Sequence, residues 1–371
     1  MNAPLFRVVK REGGGPLRLA VSYVAAVVLA LLVGTVLLTL LGVPALTYYK
    51  GMFTLGIPGS RYPFKQVEGF LRLFVPLLLT SLALSLAFRM RFWNIGGEGQ
   101  FTMGAIAGAA VALKLGDVFP QPLVLLLMSL AGLAAGGLYG ALAAWLKVKF
   151  QTNETLMTLM LNYIALYLLR FLGETKGTWN FFLSSQSERP KFEKFPAGGQ
   201  MLELSLGDFH LNLTLVAAAF ICAALFVYLR YTKHGYEIAV VGDSPNTARY
   251  AGMGVGRIIL RTVFLSAALI GLAGAFYVSS AGTLSTAVTN DVGWTGIVVA
   301  WLANLNTLGI VVASLLITVL QFGSQVAGTS YASIDANFAD LLQGVILFAV
   351  LAADFFTRFR LVGRGRQEGL K

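Results

Sequence analysis

The sequence predicts an all-α protein that crosses a membrane about ten times, and three observations predict it. Only 12% of its 371 residues are charged and 57% are hydrophobic, with a mean hydropathy of +0.74. A soluble domain carries roughly twice that share of charge. Apolar runs of about 18 or more residues recur along the length, as membrane-spanning helices require. The runs lack the period-two alternation of a membrane strand, and backbone in lipid must satisfy its own hydrogen bonds, so helices remain.

Taken in order, the spans fall near 19–41, 70–88, 101–115, 122–146, 153–172, 211–230, 259–280, 293–303, 309–327 and 338–356. Arg7, Lys10, Arg11 and Arg18 precede the first, as in a secretory signal. The run Leu19 to Leu41 exceeds the ~7–15 residues of a signal core, so it reads as an uncleaved span. Pro76 has apolar residues on both sides and should kink its helix rather than end it. Pro122 and Asn153 mark helix starts, and Gly173 marks an end. The pairs Gly104/Gly108 and Gly132/Gly136 have the spacing that lets helix backbones approach closely.

Charge sets the orientation. With the N-terminus in the cytoplasm and alternating spans, the inside segments hold 18 Lys and Arg with 7 acids, and the outside segments hold 10 of each. That bias orients multi-pass proteins, and both termini come out cytoplasmic. The 304–308 turn should then be cytoplasmic, yet it contains no Lys or Arg. A basic face toward anionic lipid accounts for the net charge of +11 without nucleic acid. Residues 1–69 form a cytoplasmic tail, first span and external loop; 70–356 form the membrane body; 357–371 form a basic cytoplasmic tail. Two connections exceed simple turns. Residues 173–209, with Trp179, Phe181, Phe182, Pro190 and Pro196, read as an external flap, and 231–258 as a structured cytoplasmic loop. Cys222 stands alone, so neither a disulfide framework nor a Cys-based metal cluster is expected. His210 and His234 are far apart, and no metal site is predicted.

Polar residues interrupt the apolar pattern at two places. Asn94-Ile-Gly-Gly-Glu-Gly-Gln100 puts three glycines in four positions, each costing a helix about 1 kcal/mol relative to alanine. Asn290-Asp-Val-Gly-Trp294 precedes the short 293–303 run. Interrupted spans at matching places in two halves point to a transporter binding site. The spans before them run in opposite directions, which predicts an inverted repeat of 70–172 and 259–356. Asn94, Glu98 and Gln100 offer donors and acceptors suited to ribose hydroxyls or base edges. Alternatively they cap the helix that follows, or Glu98 pairs with Arg89 and Arg91 at the membrane surface. A further cluster is Asn153, Glu154, Thr158 and Asn162. Asn153 fits an N-cap and Glu154 suits a first turn, whereas Thr158 and Asn162 lie deeper and are expected to line the pore or bond between helices. Trp294, at the second interruption, is expected along the same path.

In the cytoplasmic loop, Ser244 then Pro245 is an N-cap followed by proline at the first helical position. Asn246 to Ala251 should form a short helix ended by Gly252 and Gly254, a docking element for a soluble partner.

This loop resembles the coupling helix of ABC importer permeases, with Ala248, Ala251 and Gly252 where that family has an Ala/Gly-rich signature. Phe92-Trp-Asn-Ile-Gly-Gly-Glu-Gly-Gln100 looks like the "FNIGxEGQ" stretch of nucleoside-type permeases in the branched-chain amino acid and simple-sugar permease superfamily. Asn153-Glu-Thr-Leu-Met-Thr-Leu-Met-Leu-Asn-Tyr163 is similar to that subgroup's "NEVxxTLMLNY", and Asn304-Leu-Asn-Thr-Leu-Gly309 to its "N-P-L-G" turn. The likeness runs in order over nearly the whole chain. Trp93, Thr155 and Thr307 depart from the pattern, and Trp93 bears on substrate choice. The resemblance implies a vitamin B12 importer-like architecture that carries nucleosides, or alternatively a simple sugar such as ribose. It implies two ATPase subunits, a second permease subunit and an extracytoplasmic binding protein. Ser244, Pro245, Arg249, Tyr250, Ala251 and Gly252 would meet the ATPase, and Asn304 would lie on the pathway. No GxxxxGK[ST] stretch occurs, so ATP and Mg belong on partner subunits and no cofactor is expected on this chain. An ion-coupled transporter would need acids or histidines at mid-membrane, and here Glu98, Asp291 and Asp340 all lie near span ends. A membrane enzyme would need a His–carboxylate arrangement, and His210 stands alone.

Overall fold

The computed structural model describes residues 6–10, 16–331, 333–334 and 337–363. Arg11, Arg364, Arg366 and Lys371, counted above among the cytoplasmic charges, lie outside the described residues. In chain order the elements are β1 (Phe6–Lys10), α1 (Pro16–Leu40), α2 (Ala45–Phe53), α3 (Pro63–Arg89), α4 (Gly97–Leu115), α5 (Gln121–Phe150) and α6 (Glu154–Glu174). Next come β2 (Glu203–Leu206), β3 (Phe209–Asn212), α7 (Leu213–Tyr231), α8 (Lys233–Asp243) and α9 (Pro245–Tyr250). The chain continues with α10 (Val255–Ala281), α11 (Val292–Leu302), α12 (Thr307–Gly328), α13 (Asn337–Arg358) and β4 (Phe359–Gly363).

The fold is that of a polytopic membrane protein. Among the described residues, 7 helices are long and apolar enough to cross: α3, α5, α6, α7, α10, α12 and the Asp340–Thr357 part of α13. Within α1 the apolar run is Val24–Leu40. Helix α11 has 11 residues. At 1.5 Å rise per residue it spans about 16 Å, half the hydrocarbon thickness, so the 293–303 run is a half-length helix.

The chain divides into two compact units, Met1–Ser60 with Val319–Lys371, and Arg61–Thr318. In the first, α1 packs along α13. The ring of Tyr48 is fully buried edge-on to Phe338, and its hydroxyl lies 2.5 Å from Ser324 Oγ. Strands β1 and β4 pair antiparallel, Phe6 opposite Gly363 through Lys10 opposite Phe359. Nothing in the apolar periodicity marks α2 or this strand pair.

The second unit is built on a seam of α4, α5 and α10. A Cβ on Gly271 would collide with the backbone of Gly132 and Gly136, and one on Gly104 with the backbone of Gly271. Small residues at this spacing let three helices approach to backbone contact, as the glycine pairs predict. Helix α3 continues through Pro76, as expected.

Connecting segments close the two ends of this unit. At one, the 175–212 connection bridges to α10's end through Lys194 and Thr283, and the Met201 amide donates to the Ser279 carbonyl. Here the β2–β3 hairpin forms, Glu203 opposite Asn212. Sequence reading had this region only as a flap. At the other end, α8 and α9 pack on a buried apolar core containing Ile238, Val241 and Ala248 together with Met90, Phe92 and Val255.

Candidate functional site

The first interruption begins where α3 stops. Arg91 takes a left-handed φ of 57° and turns the chain into a tight descent, Asn94 N to Phe92 O and Ile95 N to Trp93 O. Three short links then tie this stretch to itself. Asn94 Oδ1 accepts from the Gly96 amide at 3.0 Å and from Gln100 Nε2 at 3.0 Å, while Asn94 Nδ2 donates to Gln100 Oε1 at 3.1 Å. Asn94 is fully buried and Gln100 nearly so, and each side-chain amide has found the other's complementary group.

Helix α6 supplies the next links. Its start is fixed by Asn153, whose Oδ1 accepts from the Thr155 and Leu156 amides, and Glu154 pairs with Lys147 Nζ at 2.8 Å. Those two residues serve the α5–α6 turn and do not join the break. One and two turns further on, Thr158 and Asn162 do. Thr158 Oγ1 accepts from the Ile95 amide at 3.1 Å. Asn162 Oδ1 accepts from the Gly99 amide and its Nδ2 donates to the Ile95 carbonyl, both at 2.8 Å. Backbone groups freed by the break are thus satisfied from a neighbouring helix, which low-dielectric burial demands. Gly99 allows the close approach, since a Cβ there would lie 3.0 Å from Asn162 Cα and press on α6.

Glu98 reaches to the other interruption. Its Oε1 accepts from the Gly293 amide at 2.6 Å and the Trp294 amide at 3.2 Å, the first turn of α11. The carboxyl also hydrogen-bonds the Thr289 side chain. A carboxylate on the orphan amides of a helix start is doubly favoured, by hydrogen bonding and by the helix dipole. Glu98 therefore caps a helix nearly two hundred positions away, and neither its own helix nor Arg89 and Arg91 claim it. The backbones meet here: a Cβ on Gly97 would lie 3.2 Å from Gly293 Cα. Asn290 and Asp291, just before α11, hold left-handed φ of 43° and 55°. Gly293 and Thr289 escaped the sequence reading, although glycines at 97 and 293, one in each interruption, were the available signal.

Helix α11 carries Trp294 and Trp301 on one half-exposed face. Trp301 stacks on Trp93, ring centroids 5.3 Å apart at 15°. Beyond it the chain turns through Asn304 and Leu305, both left-handed, and Arg89 Nη2 donates to the Leu305 carbonyl. Asn304 lies at this far end, away from the hydrogen-bonded knot.

At the α8–α9 end the cap signals do form the short helix expected over 246–251, here Pro245–Tyr250. Ser244 Oγ accepts from the Thr247 amide, Pro245 opens α9, and Gly252 ends it with φ of 74°. Ala248 is buried, whereas Arg249, Ala251 and Gly252 are exposed and Tyr250 is 95% exposed. Helix α8, which sequence reading missed, is clipped to α10 by Glu237 Oε2 and Arg261 Nη2 at 2.8 Å. That guanidinium bond, followed by the charges of Arg261, Lys233 and His234, holds the Glu237 carboxyl below the usual carboxylate range.

The sequence model of the branched-chain amino acid transport system permease component matches residues 66–351. The chain is 31% identical over 346 residues to a glucose ABC transporter permease protein of Haloferax volcanii, covering 91% of this chain and 88% of that one. It is 28% identical over 351 residues to a guanosine ABC transporter permease protein of Bacillus subtilis, covering 93% and 96%. Identity to a nucleoside ABC transporter permease protein of Lactococcus lactis is 26% over 329 residues, 88% of each chain.

Proposed function

The chain belongs to the branched-chain amino acid transport system permease family, and on that premise we propose that it is the membrane-spanning subunit of an ABC importer for nucleosides. The observation that carries the mechanism is the junction of two broken helices at Glu98, joined through one apolar core to the short exposed helix α9. Nucleosides are preferred because the 92–100 and 153–163 stretches resemble the nucleoside-type subgroup and because relatives named for guanosine and nucleosides match along most of the chain. The glucose-named relative supports a simple sugar as the second reading.

In this reading α8 and α9 face the cytoplasm with both chain termini, and the hairpin faces outward. Two ATP-binding subunits dock on α9 through Arg249, Tyr250, Ala251 and Gly252. A second, paralogous permease completes the passage, and an extracytoplasmic binding protein delivers the solute to the hairpin side. ATP and Mg reside on the docked subunits. The ten crossings include α11 together with the 282–291 link before it, and α3–α6 with α10–α13 form the inverted repeat.

Force on α9 has a short route inward. Ala248 shares its core with Met90 and Phe92, and Phe92 lies two residues before Asn94. The pathway residues take two roles. Asn94, Glu98, Gln100, Thr158 and Asn162 hold the break in shape, and Trp294 presents its half-exposed face beside it, with Asn153, Glu154 and Asn304 at the ends of the flanking helices. Closing of the ATPase dimer would tilt these helices as rigid bodies between two packings close in energy.

The test is uptake of tritiated guanosine into proteoliposomes holding the complete importer. Uptake should need ATP and be indifferent to ion gradients. Ala251→Trp, at an exposed position, should leave assembly intact and cut uptake by more than tenfold. Undiminished uptake by that variant would refute the coupling role of α9, and ion-gradient dependence would refute the ABC assignment.

A further inference from the structure

The unit formed by Met1–Ser60 and Val319–Lys371 holds an apolar groove that the transport reading does not use. It runs between α1 and α13 and has a volume of about 650 Å³. On α1 the lining falls at Ser22, Ala26, Leu29 and Val33, and on α13 it runs from Val345 to Thr357 at the same spacing of three and four. One face of each helix therefore forms a wall. Ala26 and Ala30 are buried at the floor, while Leu29, Phe348 and Phe356 are 60%, 76% and 53% exposed along the rims. Rims that stay exposed leave the groove open to the hydrocarbon around the protein.

Its length and section decide what fits. From Ser22 to Val33 the helix rises about 16 Å, close to the ~15 Å that one leaflet contributes to a hydrocarbon core of about 30 Å. Past Val33 the seam is shut. A Cβ on Gly34 would lie 2.6 Å from both Leu342 Cδ1 and the Tyr49 hydroxyl oxygen, and Leu38 and Leu342 are buried. A transmembrane helix of a second subunit runs the full ~30 Å and would leave half of itself unseated. It is also too wide. Over its length the groove averages about 40 Å² in section, roughly half that of a helix 10 Å across.

The open end is basic. Arg18 stands one turn before Ser22 on α1, and Arg358 ends α13 directly after Thr357. The β1–β4 pair that continues from α13 adds Arg7, Lys10 and Arg360. Against these five cations, Asp354 is the one acid among the described residues 6–10, 16–22 and 354–363. Basic residues at the mouth of an apolar slot between spanning helices suit an anionic lipid headgroup.

We propose that this groove is a binding site for an anionic diacyl phospholipid, with its tails along α1 and α13 and its headgroup at the basic end. The tails need only apolar walls and room, which the alanine floor provides. The phosphate supplies the negative charge that one acid against five cations leaves unmatched. Because β1 and β4 bring the two ends of the chain together at this mouth, a held headgroup fastens them at the membrane surface. The site depends on α1 and α13 lying in the membrane and not on which solute is carried.

The experiment uses the full chain purified in detergent and native mass spectrometry, with phosphatidylglycerol or phosphatidylcholine added. Wild type should retain phosphatidylglycerol at least fivefold more than phosphatidylcholine. Arg18→Gln with Arg358→Gln should erase that preference. Ala25→Phe with Ala352→Phe fills the groove and should cut retention of phosphatidylglycerol at least fivefold. Should the filled variant fail to fold, a phosphatidylglycerol with a diazirine on its tail still decides the matter in the wild-type importer in nanodiscs. Its label should fall on 22–33 and 345–357. Equal retention of the two lipids, unchanged retention by a folded filled variant, or label spread evenly over the other helices would overturn the proposal. So would crosslinks from these residues to a second permease subunit in place of lipid.

Discussion

Removing the Glu98 carboxyl tests whether one side chain holds two broken helices together. In Glu98→Ala, the Gly293 and Trp294 amides both lose their acceptor. The Gly293 bond is fully buried, so its amide cannot rehydrate, at a cost of about 1–3 kcal/mol. The Trp294 bond is only partly buried and recovers some hydration, which brings the total to roughly 2–4 kcal/mol. Glu98→Gln behaves differently. Its carbonyl oxygen stays within reach of both amides, and its NH2 can donate to the Thr289 hydroxyl, which serves as donor or acceptor. The expected loss is about 1 kcal/mol, that of exchanging a charge-assisted bond for a neutral one. Thermal unfolding of the purified protein in detergent, followed by loss of the monodisperse peak, should rank wild type above Gln and Gln well above Ala. Uptake should fall in the same order. If Ala matches wild type in stability, Glu98 caps nothing that matters; if Gln is as damaging as Ala, the charge and not the hydrogen bonding is what the site needs.

Asn162→Leu keeps the volume but strips partners from the Gly99 amide and the Ile95 carbonyl, at about 1–3 kcal/mol each, and should lower the unfolding temperature in the same assay. Gly271→Val drives a side chain into the Gly132 and Gly136 backbone and should abolish accumulation of folded protein in membranes, whereas Gly344→Ala, with open space around it, should be neutral or gain about 0.4–1 kcal/mol. The Glu237 clip supplies a pH signature. Its folded pKa is depressed, so the stability it adds is fully present above the unfolded value near ~4.3 and is lost as pH falls through the lower folded value. Unfolding temperatures measured downward from pH 6 should therefore drop more steeply in wild type than in Glu237→Gln.

What the sequence revealed was local, and what it hid was distant or weakly patterned. Apolar runs long enough to cross a membrane gave the principal helices, because hydrocarbon enforces length and composition together. Asn153 and Ser244 were legible as caps, since a cap bonds amides two or three residues away. A break was legible from the glycines of 94–100, although it falls at 90–96 and Gly97 to Gln100 already belong to α4. Its partners were not: Glu98 could be read as capping its own helix, and only the packing of Gly97 on Gly293 delivers it to α11. The β2–β3 hairpin did carry a signal, Leu204 and Leu206 then Phe209 and Leu211 alternating with polar residues about Gly207-Asp208, but strands of four residues each are too short to stand out beside the long apolar runs. Helix α8 escaped because its buried face is only Gly235, Ile238, Val241 and Gly242, too narrow a stripe to stand out.

The way the knot is tied limits how this protein can move. Its bonds join the 94–96 stretch, α4, α6 and α11, and most of them satisfy backbone groups left free by the breaks, the Gly96, Gly99 and Gly293 amides among them fully buried. Sliding α4 past α11 would break the Glu98 links and leave amides bare, so these pieces are held to travel together. Motion must then concentrate where the chain is already off its regular geometry: Arg91 after α3, Asn290 and Asp291 before α11, and Asn304 and Leu305 after it, all left-handed. Left-handed backbone costs a side-chain-bearing residue energy that the surrounding contacts must offset, and a small change in those contacts shifts it first. Arg91 adjoins the core under α9, Leu305 is held by Arg89, and Asn290 is held by Tyr277. Each bend is thus gripped by a different neighbour. A push on α9 would therefore reach the knot first through the bend at Arg91, whose neighbours Met90 and Phe92 share a core with Ala248, and only through the knot the bends that flank α11.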